Sequence, residues 1–484
     1  MLHKNNLDDT IAAISTPIGK GGIGIIRVSG KNALAIADRV FVPKDGQKPS
    51  NYKTYTVHYG WIVKSSRSAV HSPRIRKKKL STMDYRPATN IIDEVLLTVM
   101  RTPRSYTKED IVEISCHSGI VVLREILDLV LACGVRLAEP GEFTKRAFLN
   151  GRIDLSEAEA VADIINAKTN FALESSMKQL QGVLSANIVT LREKLLEVIA
   201  LLEARIDFPE EGIEGIDKRK IANSLGEVSR EIGRLLSSSP HGKVLRDGIN
   251  AVILGKANVG KSSFLNALLK EERAIVSPIA GTTRDAIEEI IDLQGIPLKI
   301  ADTAGIIEPQ GMIEQEALKR TERYFDKAAL VLLMFDAHQK LSAQDKQLIA
   351  KAKAKTVIAV LNKSDLAPCI EEAYIQRYFR HVVKVSSLTH KGIKELEEKI
   401  VQVVWEGKIG VSDEIIVTNS RHIQALHNAQ EALEKAVDSL RSSLSFEFVT
   451  EDIKACRTHL GCITGEALEE DILDKIFAEF CIGK

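Results

Sequence analysis

Gly255-Lys256-Ala257-Asn258-Val259-Gly260-Lys261-Ser262 is a complete G-x-x-x-x-G-K-[ST] run. Each residue type has a mechanical reason for its position. Gly255 and Gly260 let the backbone curl until its N–H groups face phosphate oxygens. Lys261 can set an ammonium against β- and γ-phosphates, and Ser262 can ligate Mg²⁺. The elements needed to hold such a loop flank it. Ile249 to Leu254 is an apolar run suited to a buried parallel strand, and Ser263 onward reads as the helix whose N-terminus faces the anion.

Three further motifs follow in the order a guanine-nucleotide site requires. Asp302-Thr303-Ala304-Gly305 comes after the strand-like Leu298 to Ala301. Its aspartate can hold Mg²⁺ through water and its glycine N–H can meet a γ-phosphate. Asn362-Lys363-Ser364-Asp365 follows Val357 to Leu361. A carboxylate at Asp365 can accept from both N1–H and N2–H₂ of guanine, an edge that adenine lacks, so GTP is favoured over ATP. Ser386-Ser387-Leu388 follows Val382 to Val385 and fits the loop beneath the base. Between the first two motifs lies Gly281-Thr282-Thr283-Arg284-Asp285, whose Thr283 can complete a Mg²⁺ shell. Strand and helix signals alternate throughout, which predicts a parallel α/β sheet. One departure from the Ras pattern matters. Ile306 stands where a glutamine would orient the attacking water. Either a side chain a turn or two downstream or a monovalent cation must take over. Asn258 is placed to help hold such a cation, the alternative being a plain turn residue.

The 484 residues suggest about three domains. A formal net charge of +1 excludes a global field for nucleic acid or membrane, so any RNA contact must be local. The first ten residues lack an apolar signal core, and the longest apolar stretch, Ala328 to Phe335, is a strand's length. The six cysteines show no Cys-x-x-Cys pairing, so neither a zinc site nor a disulfide framework is suggested and a reducing, cytoplasmic setting is expected.

Residues 1 to 152 form an α/β-like region. Thr10 to Ser15, Gly24 to Ser29, Ile91 to Met100 and Val112 to Ser115 read as strands, and Ile120 to Cys133 as a helix. Pro17-Ile18-Gly19-Lys20-Gly21-Gly22 reads as a flexible turn rather than a phosphate cradle, since no helix-opening signal follows directly. Lys64 to Lys79 carries seven basic residues and no acid, with no interleaved aromatic, and reads as a solvated loop rather than an RNA-phosphate patch. A long helical stretch starts near Ser156, with Ser156 and Glu159 in a capping-box pattern, and ends at Pro209. Another helix covers Lys218 to Leu236, and Ser237-Ser238-Ser239-Pro240-His241-Gly242 reads as a linker. Helical periodicity resumes from Ser420 to Ser442 and from Thr450 to the end. The expected fold is multidomain α/β plus all-α, a helical domain interrupted by an inserted Ras-like P-loop G domain. Its boundaries are 1–152, 153–243, 244–411 and 412–484.

Asp9-Thr10-Ile11, the run Gly21 to Gly30, Pro140 to Gly151, the nucleotide motifs and the terminal Cys481-Ile482-Gly483-Lys484 together resemble the MnmE (TrmE) family of tRNA-modification GTPases. Ala257 departs from the family's usual proline, and the basic stretch near 64–90 looks like an insertion. The resemblance implies an N-terminal domain that dimerises and binds 5-formyl-tetrahydrofolate or a related one-carbon folate. Arg27, Glu109, Arg152 and Lys484 are its implied folate contacts. It implies GTP bound through Asn258, Val259, Gly260, Lys261, Ser262, Ser263, the segment Ser277, Pro278, Ile279, Ala280, Gly281, Thr282 and Thr283, the residues Asp302, Thr303, Ala304 and Gly305, and Asn362, Lys363, Asp365, Ser386, Ser387 and Leu388. K⁺ is implied at Asn258, Ser277, Ile279 and Thr282, and Mg²⁺ at Ser262 and Thr283. Glu314 matches the family's water-positioning acid and Cys481 its functional tail cysteine. The implied activity is K⁺-stimulated GTP hydrolysis. With the FAD protein MnmG (GidA), in a heterotetramer, it serves to place an aminomethyl or carboxymethylaminomethyl group on C5 of the wobble uridine in certain tRNAs. A ribosome-assembly GTPase of the Era or Der type shares the G-domain motifs, but no KH-type loop or second phosphate loop is found, and no membrane role is expected.

Overall fold

The computed structural model describes residues 9–64, 90–207, 218–271, 288–301, 322–405, 415–442, 445–468 and 470–484. The chain divides into two compact units, Met1–Ala162 with Thr464–Lys484, and Asp163–Ile463.

In the first unit, seven strands form one sheet: β1 (Ile11–Ile14), β2 (Gly24–Ser29), β3 (Phe41–Pro43), β4 (Thr56–Val63), β5 (Ile91–Met100), β6 (Ile111–Cys116) and β7 (Arg136–Leu137). Their order is β3-β4-β5-β6-β2-β1-β7. Neighbours are antiparallel except β1 and β7, which run parallel. The two-residue period of a strand sends its side chains to opposite faces. Ala12, Ile26, Val28 and Ile114 pack against the helices Ala33–Val40 and Ile120–Leu131. Ile11 and Ala13 turn the other way, onto Ala138, just past β7, and onto Phe143 of the helix Glu142–Leu149. A smaller core joins Leu155 and Ala158 to Leu473, Phe477 and Phe480, so the last helix, Glu470–Ala478, belongs to this unit.

The second unit holds a helical bundle and a second sheet. Val183–Asp207 and Lys218–Asp247 pack with Ser420–Arg441 and Phe446–Thr464. Leu184, Ile188, Leu191, Leu195, Val198 and Leu202 recur at helical spacing and meet Ile221, Leu225, Val228 and Ile232 in one core. Between the two helix pairs lie β8 (Ile249–Leu254), β9 (Glu288–Leu293), β10 (Ile296–Ala301), β11 (Leu330–Asp336), β12 (Val357–Asn362) and β13 (His381–Lys384). Their order is β13-β12-β11-β8-β10-β9, parallel throughout except for the β9–β10 hairpin. Separate apolar cores cover the two faces. The expected fold class is therefore present: an α/β unit, a helical bundle, and a P-loop sheet inserted between the bundle's helices.

Four local readings need correction. Ser237 to Gly242 is no linker, because the helix runs through Pro240 to Asp247. Proline cannot donate to the carbonyl four residues back, Leu236. Ser239 Oγ donates to that carbonyl instead at 2.7 Å, while Ser237 and Ser238 bond Arg234 and Leu235 in the same way. The capping box is Asp154 with Glu157, not Ser156 with Glu159: Glu157 N–H donates to Asp154 Oδ1 and Asp154 N–H to Glu157 Oε2, each at 2.8 Å. The long helix from that cap is three helices. Thr169 caps Asn170–Leu180, and Gly182, at φ +80°, turns the chain into Val183–Asp207. Gly465, at φ +92°, likewise divides the C-terminal helical region.

Candidate functional site

The phosphate loop sits at the carboxyl end of β8, between its neighbours β10 and β11, where an open α/β sheet places its ligands. Its glycines are dictated by contact. A Cβ on Gly255 would lie 2.8 Å from the Met334 carbonyl, and one on Gly260, at φ +97°, would lie 2.5 Å from Asn362 Nδ2. Asn258 is left-handed at φ +60°. Lys261 Nζ folds back over the loop, donating to the carbonyls of Gly255 at 3.0 Å and Lys256 at 2.9 Å. Asn258, Ser262 and Ser263 are exposed at the mouth of the loop, while Val259 is buried beneath it.

The base-recognition motif is bonded directly to this loop. Asn362 Nδ2 donates to the Val259 carbonyl at 2.9 Å, and Lys363 Nζ donates to the Asn258 carbonyl at 3.1 Å. Asn362 Oδ1 in turn accepts from the Ser387 N–H at 3.1 Å and hydroxyl at 2.9 Å. Ser386 Oγ donates to Asp365 Oδ1 at 2.5 Å. Thus Asn258, Val259, Gly260, Lys261, Asn362, Lys363, Asp365, Ser386 and Ser387, expected from sequence to share a site, form one connected group; Leu388 beside them is exposed.

Two acids outside any recognisable motif hold cations at this site, one a lysine of the base motif and the other a lysine of the loop. Asp336, at the end of β11 and buried, accepts Lys363 Nζ at 2.7 Å and the His338 N–H at 3.0 Å. Burial opposes its ionisation, but the Lys363 ammonium and these hydrogen bonds prevail and hold it below the usual carboxylate range. Asp345, buried in the capping box of the helix Ala343–Ala352, lies 3.4 Å from Lys256 Nζ. Neither was legible, since a lone aspartate after a strand or in a helix cap carries no motif.

In the first unit, Arg27 and Arg152 both lie against the Tyr106 ring, and Arg27 also reaches the tail. The Arg27 guanidinium lies 5.8 Å and that of Arg152 4.6 Å from the Tyr106 ring centre. Arg27 Nε pairs with Glu113 at 2.7 Å and its Nη1 donates to the Gly483 carbonyl at 3.1 Å. Gly483, at φ +89°, passes so close to β1 that a Cβ would lie 2.5 Å from the Ile14 carbonyl. The Cys481 carbonyl accepts the N–H groups of Gly141 and Lys484, each at 3.3 Å, and its side chain is exposed. Glu109 accepts from Ser29 Oγ at 2.7 Å and from Arg146 Nη1 at 3.1 Å.

Arg146 is the buried centre of this region. It is 1% exposed and also bonds Asp9 and Glu142, which Arg136 engages from the other side. Burial works against these charges, yet the paired guanidiniums hold Asp9 and Glu142 below their ordinary values, and the carboxylates of Glu109, Asp9 and Glu142 raise Arg146. The chemistry of the donor set suits an anionic, partly aromatic ligand: a π-face, two guanidiniums and a carboxylate with lone pairs to spare.

The remaining expected residues, Ser277 to Thr283, Asp302 to Gly305, Ile306, Glu314, Pro209 and most of the basic stretch near 64–90, lie outside the described residues. Among the described residues no group of three His, Cys, Asp or Glu side chains is placed to hold a metal ion, and no helix is long and apolar enough to cross a membrane.

Residues 10–152 match the family model described as GTP-binding protein TrmE N-terminus, and residues 155–481 match that of the MnmE helical domain. The chain is 45% identical over 480 residues to the tRNA modification GTPase MnmE of Clostridioides difficile (strain 630), covering 99% of this chain and 100% of that protein. It is 42% identical, with the same coverage, to the tRNA modification GTPase MnmE of Alkaliphilus metalliredigens (strain QYMF).

Proposed function

The chain belongs to the MnmE family of tRNA modification GTPases, and from that premise we propose how its residues divide the work. The protein is a GTP hydrolase acting in tRNA modification. The observation that carries the nucleotide reading is the pair of bonds from Asn362 and Lys363 to the carbonyls of Val259 and Asn258. They fix the distance between the phosphate loop and the base motif, so one ligand must satisfy both.

In this reading Gly255 to Ser262 wraps the phosphates and the Lys261 ammonium meets β- and γ-phosphate oxygens. Asp365, oriented by Ser386, accepts from the guanine edge, and Leu388 lies against the base. Ser262 and Thr283 are the proposed Mg²⁺ ligands; Asn258, with the carbonyls of Ser277, Ile279 and Thr282, is the proposed K⁺ site. Bound cations there neutralise charge that builds on the phosphates during hydrolysis. Asp302 to Gly305 bracket the γ-phosphate, and Glu314 orients the attacking water that Ile306 cannot.

The N-terminal unit binds a one-carbon folate such as 5-formyl-tetrahydrofolate. Arg27, Arg152 and Lys484 meet its anionic tail and Glu109 accepts from the pterin edge. The unit also forms the homodimer. Cys481 serves the modification, which installs an aminomethyl or carboxymethylaminomethyl group at C5 of the wobble uridine together with a partner flavoprotein, MnmG, that carries FAD. The proposed domains are 1–152, 153–243, 244–411 and 412–484, the last sending its tail into the N-terminal unit. Reconstitution with that flavoprotein, GTP, K⁺, a folate donor and tRNA tests the whole. Modified uridine that requires each component is expected; product formed at the same rate without folate or without GTP hydrolysis defeats the proposal.

A further inference from the structure

We propose that Asp336 is a positioning residue for the guanine nucleotide, acting through Lys363 on the phosphate loop. Three strand ends meet at this point. β8 delivers the loop, β12 delivers Asn362 and Lys363, and β11, between β8 and β12, delivers Asp336. Lys363 is left-handed at φ +63° and its ammonium bridges two groups, Asp336 Oδ2 at 2.7 Å and the Asn258 carbonyl at 3.1 Å. A lysine on its own is a flexible point charge with several rotamers. The buried carboxylate removes that freedom and leaves the ammonium one direction for its remaining protons, toward Asn258. Asn258 sits at φ +60°, a left-handed conformation that asparagine tolerates better than other non-glycine residues and that a fixed hydrogen bond to its carbonyl reinforces. The chain Asp336–Lys363–Asn258 supplies that reinforcement.

A purely structural role for Asp336 is separable. Its Oδ1 already closes the turn to His338 N–H at 3.0 Å, and an asparagine there retains this bond. Asp336→Asn therefore keeps the turn and loses the ion pair, because an amide cannot anchor an ammonium with a full charge. A glutamate keeps the charge one methylene longer.

The inference rests on the guanine-nucleotide reading of the site. The test is dissociation of a fluorescent GDP and the KM and kcat for GTP, on the full chain. Asp336→Asn is expected to raise the dissociation rate and KM by ~10-fold while kcat at saturation changes by less than about twofold, as loss of ligand positioning predicts. Asp336→Glu is expected to recover most of that loss. Equal impairment in both variants, or a fall in kcat with KM unchanged, overturns the proposal. Lys363→Met alone and combined with Asp336→Asn supply a second measurement in which no buried charge is left unpaired by the double change. Matching dissociation rates in the two support action through Lys363, and a further ~10-fold increase in the double variant overturns it. Wild-type protein that binds no guanine nucleotide defeats the site reading itself, whereas wild-type binding with Asp336→Asn unaffected defeats only this inference.

Discussion

The Arg27 guanidinium donates to the Gly483 carbonyl at 3.1 Å, joining the second strand to the penultimate residue of the chain. The tail is thus held by main-chain contacts, leaving the Cys481 thiol exposed. Cys481→Ser is expected to leave phosphate release unchanged and to abolish modified uridine, since serine keeps the size and loses the thiolate. Arg27→Ala is expected to speed amide hydrogen exchange over residues 481–484. The paired readouts are nucleoside analysis of tRNA from cells carrying only the variant, and exchange followed by mass spectrometry. Normal modification with Cys481→Ser returns Cys481 to an ordinary exposed thiol.

Gly242 tests why a helix runs where a linker is expected. A Cβ at this position would lie 2.1 Å from the Val417 carbonyl, and Val417 N–H donates to Ser238 Oγ at 3.1 Å. Gly242→Ala must push the segment away, at a cost of ~1–3 kcal/mol for forced overpacking. Urea unfolding measures it; a variant within ~0.5 kcal/mol of wild type means the segment yields freely.

The pH dependence of stability follows from Glu142. Burial pushes its carboxyl up, but Arg136, the Glu139 N–H and Arg146 outweigh that and hold it below the ordinary 4.5. Between the lowered folded value and the unfolded value, the unfolded chain binds more protons, so stability rises with pH through that window. The contribution is complete above the unfolded value and is lost as pH falls through the folded one; Asp9 adds in the same direction. Urea midpoints read from the buried Trp61 in a Trp405→Phe background are expected to fall below about pH 4.5, with a shallower slope in Glu142→Gln. An unchanged slope removes Glu142 from the account.

What could be read in the sequence depended on whether a residue's reason was local. Gly255, Gly260 and Lys261 are recognisable because a loop around phosphate demands those types at that spacing. Strand β8 coincides with the apolar run Ile249–Leu254 for the same reason. Pro240 misled because a single side chain, the Ser239 hydroxyl, takes up the carbonyl that the missing N–H leaves, and a serine beside a proline reads equally well as a linker. Ser156 misled because Asp154 and Glu157 form the same three-residue pattern two positions earlier. The Arg146 cluster was not legible, since Asp9, Glu109 and Glu142 meet only after β1 and the helix Glu142–Leu149 have packed.

The cation prediction starts from Ile306 and Asn258. Hydrolysis is expected to run at least ~10-fold faster in K⁺ than in Na⁺ at equal ionic strength, a modest share of what one preorganised charge stabiliser contributes. Asn258→Ala is expected to erase the difference, and Glu314→Ala to slow hydrolysis by ~10²-fold while GTP still binds. Equal rates in the two salts leave no role for Asn258 as a cation ligand.

Guanine choice turns on the bond from Ser386 Oγ to Asp365 Oδ1 at 2.5 Å. Ser386 is buried and immobilised, so it decides which oxygen of Asp365 is used internally and which faces the ligand. In Asp365→Asn the amide carbonyl is the atom able to accept from the hydroxyl, which turns the NH₂ outward. An outward donor clashes with the guanine N1–H and N2–H₂ and complements the C2 carbonyl of xanthine. The variant is therefore expected to lose GTP affinity by ~10²-fold and to gain xanthosine triphosphate by a comparable factor, the scale of one hydrogen-bonded recognition pair reversed. Competition between the two nucleotides for a fluorescent GDP measures both changes together. Adding Ser386→Ala frees the amide to rotate, so the preference for xanthosine is expected to shrink in the double variant. Retained preference for GTP in Asp365→Asn shows that the base edge is read elsewhere.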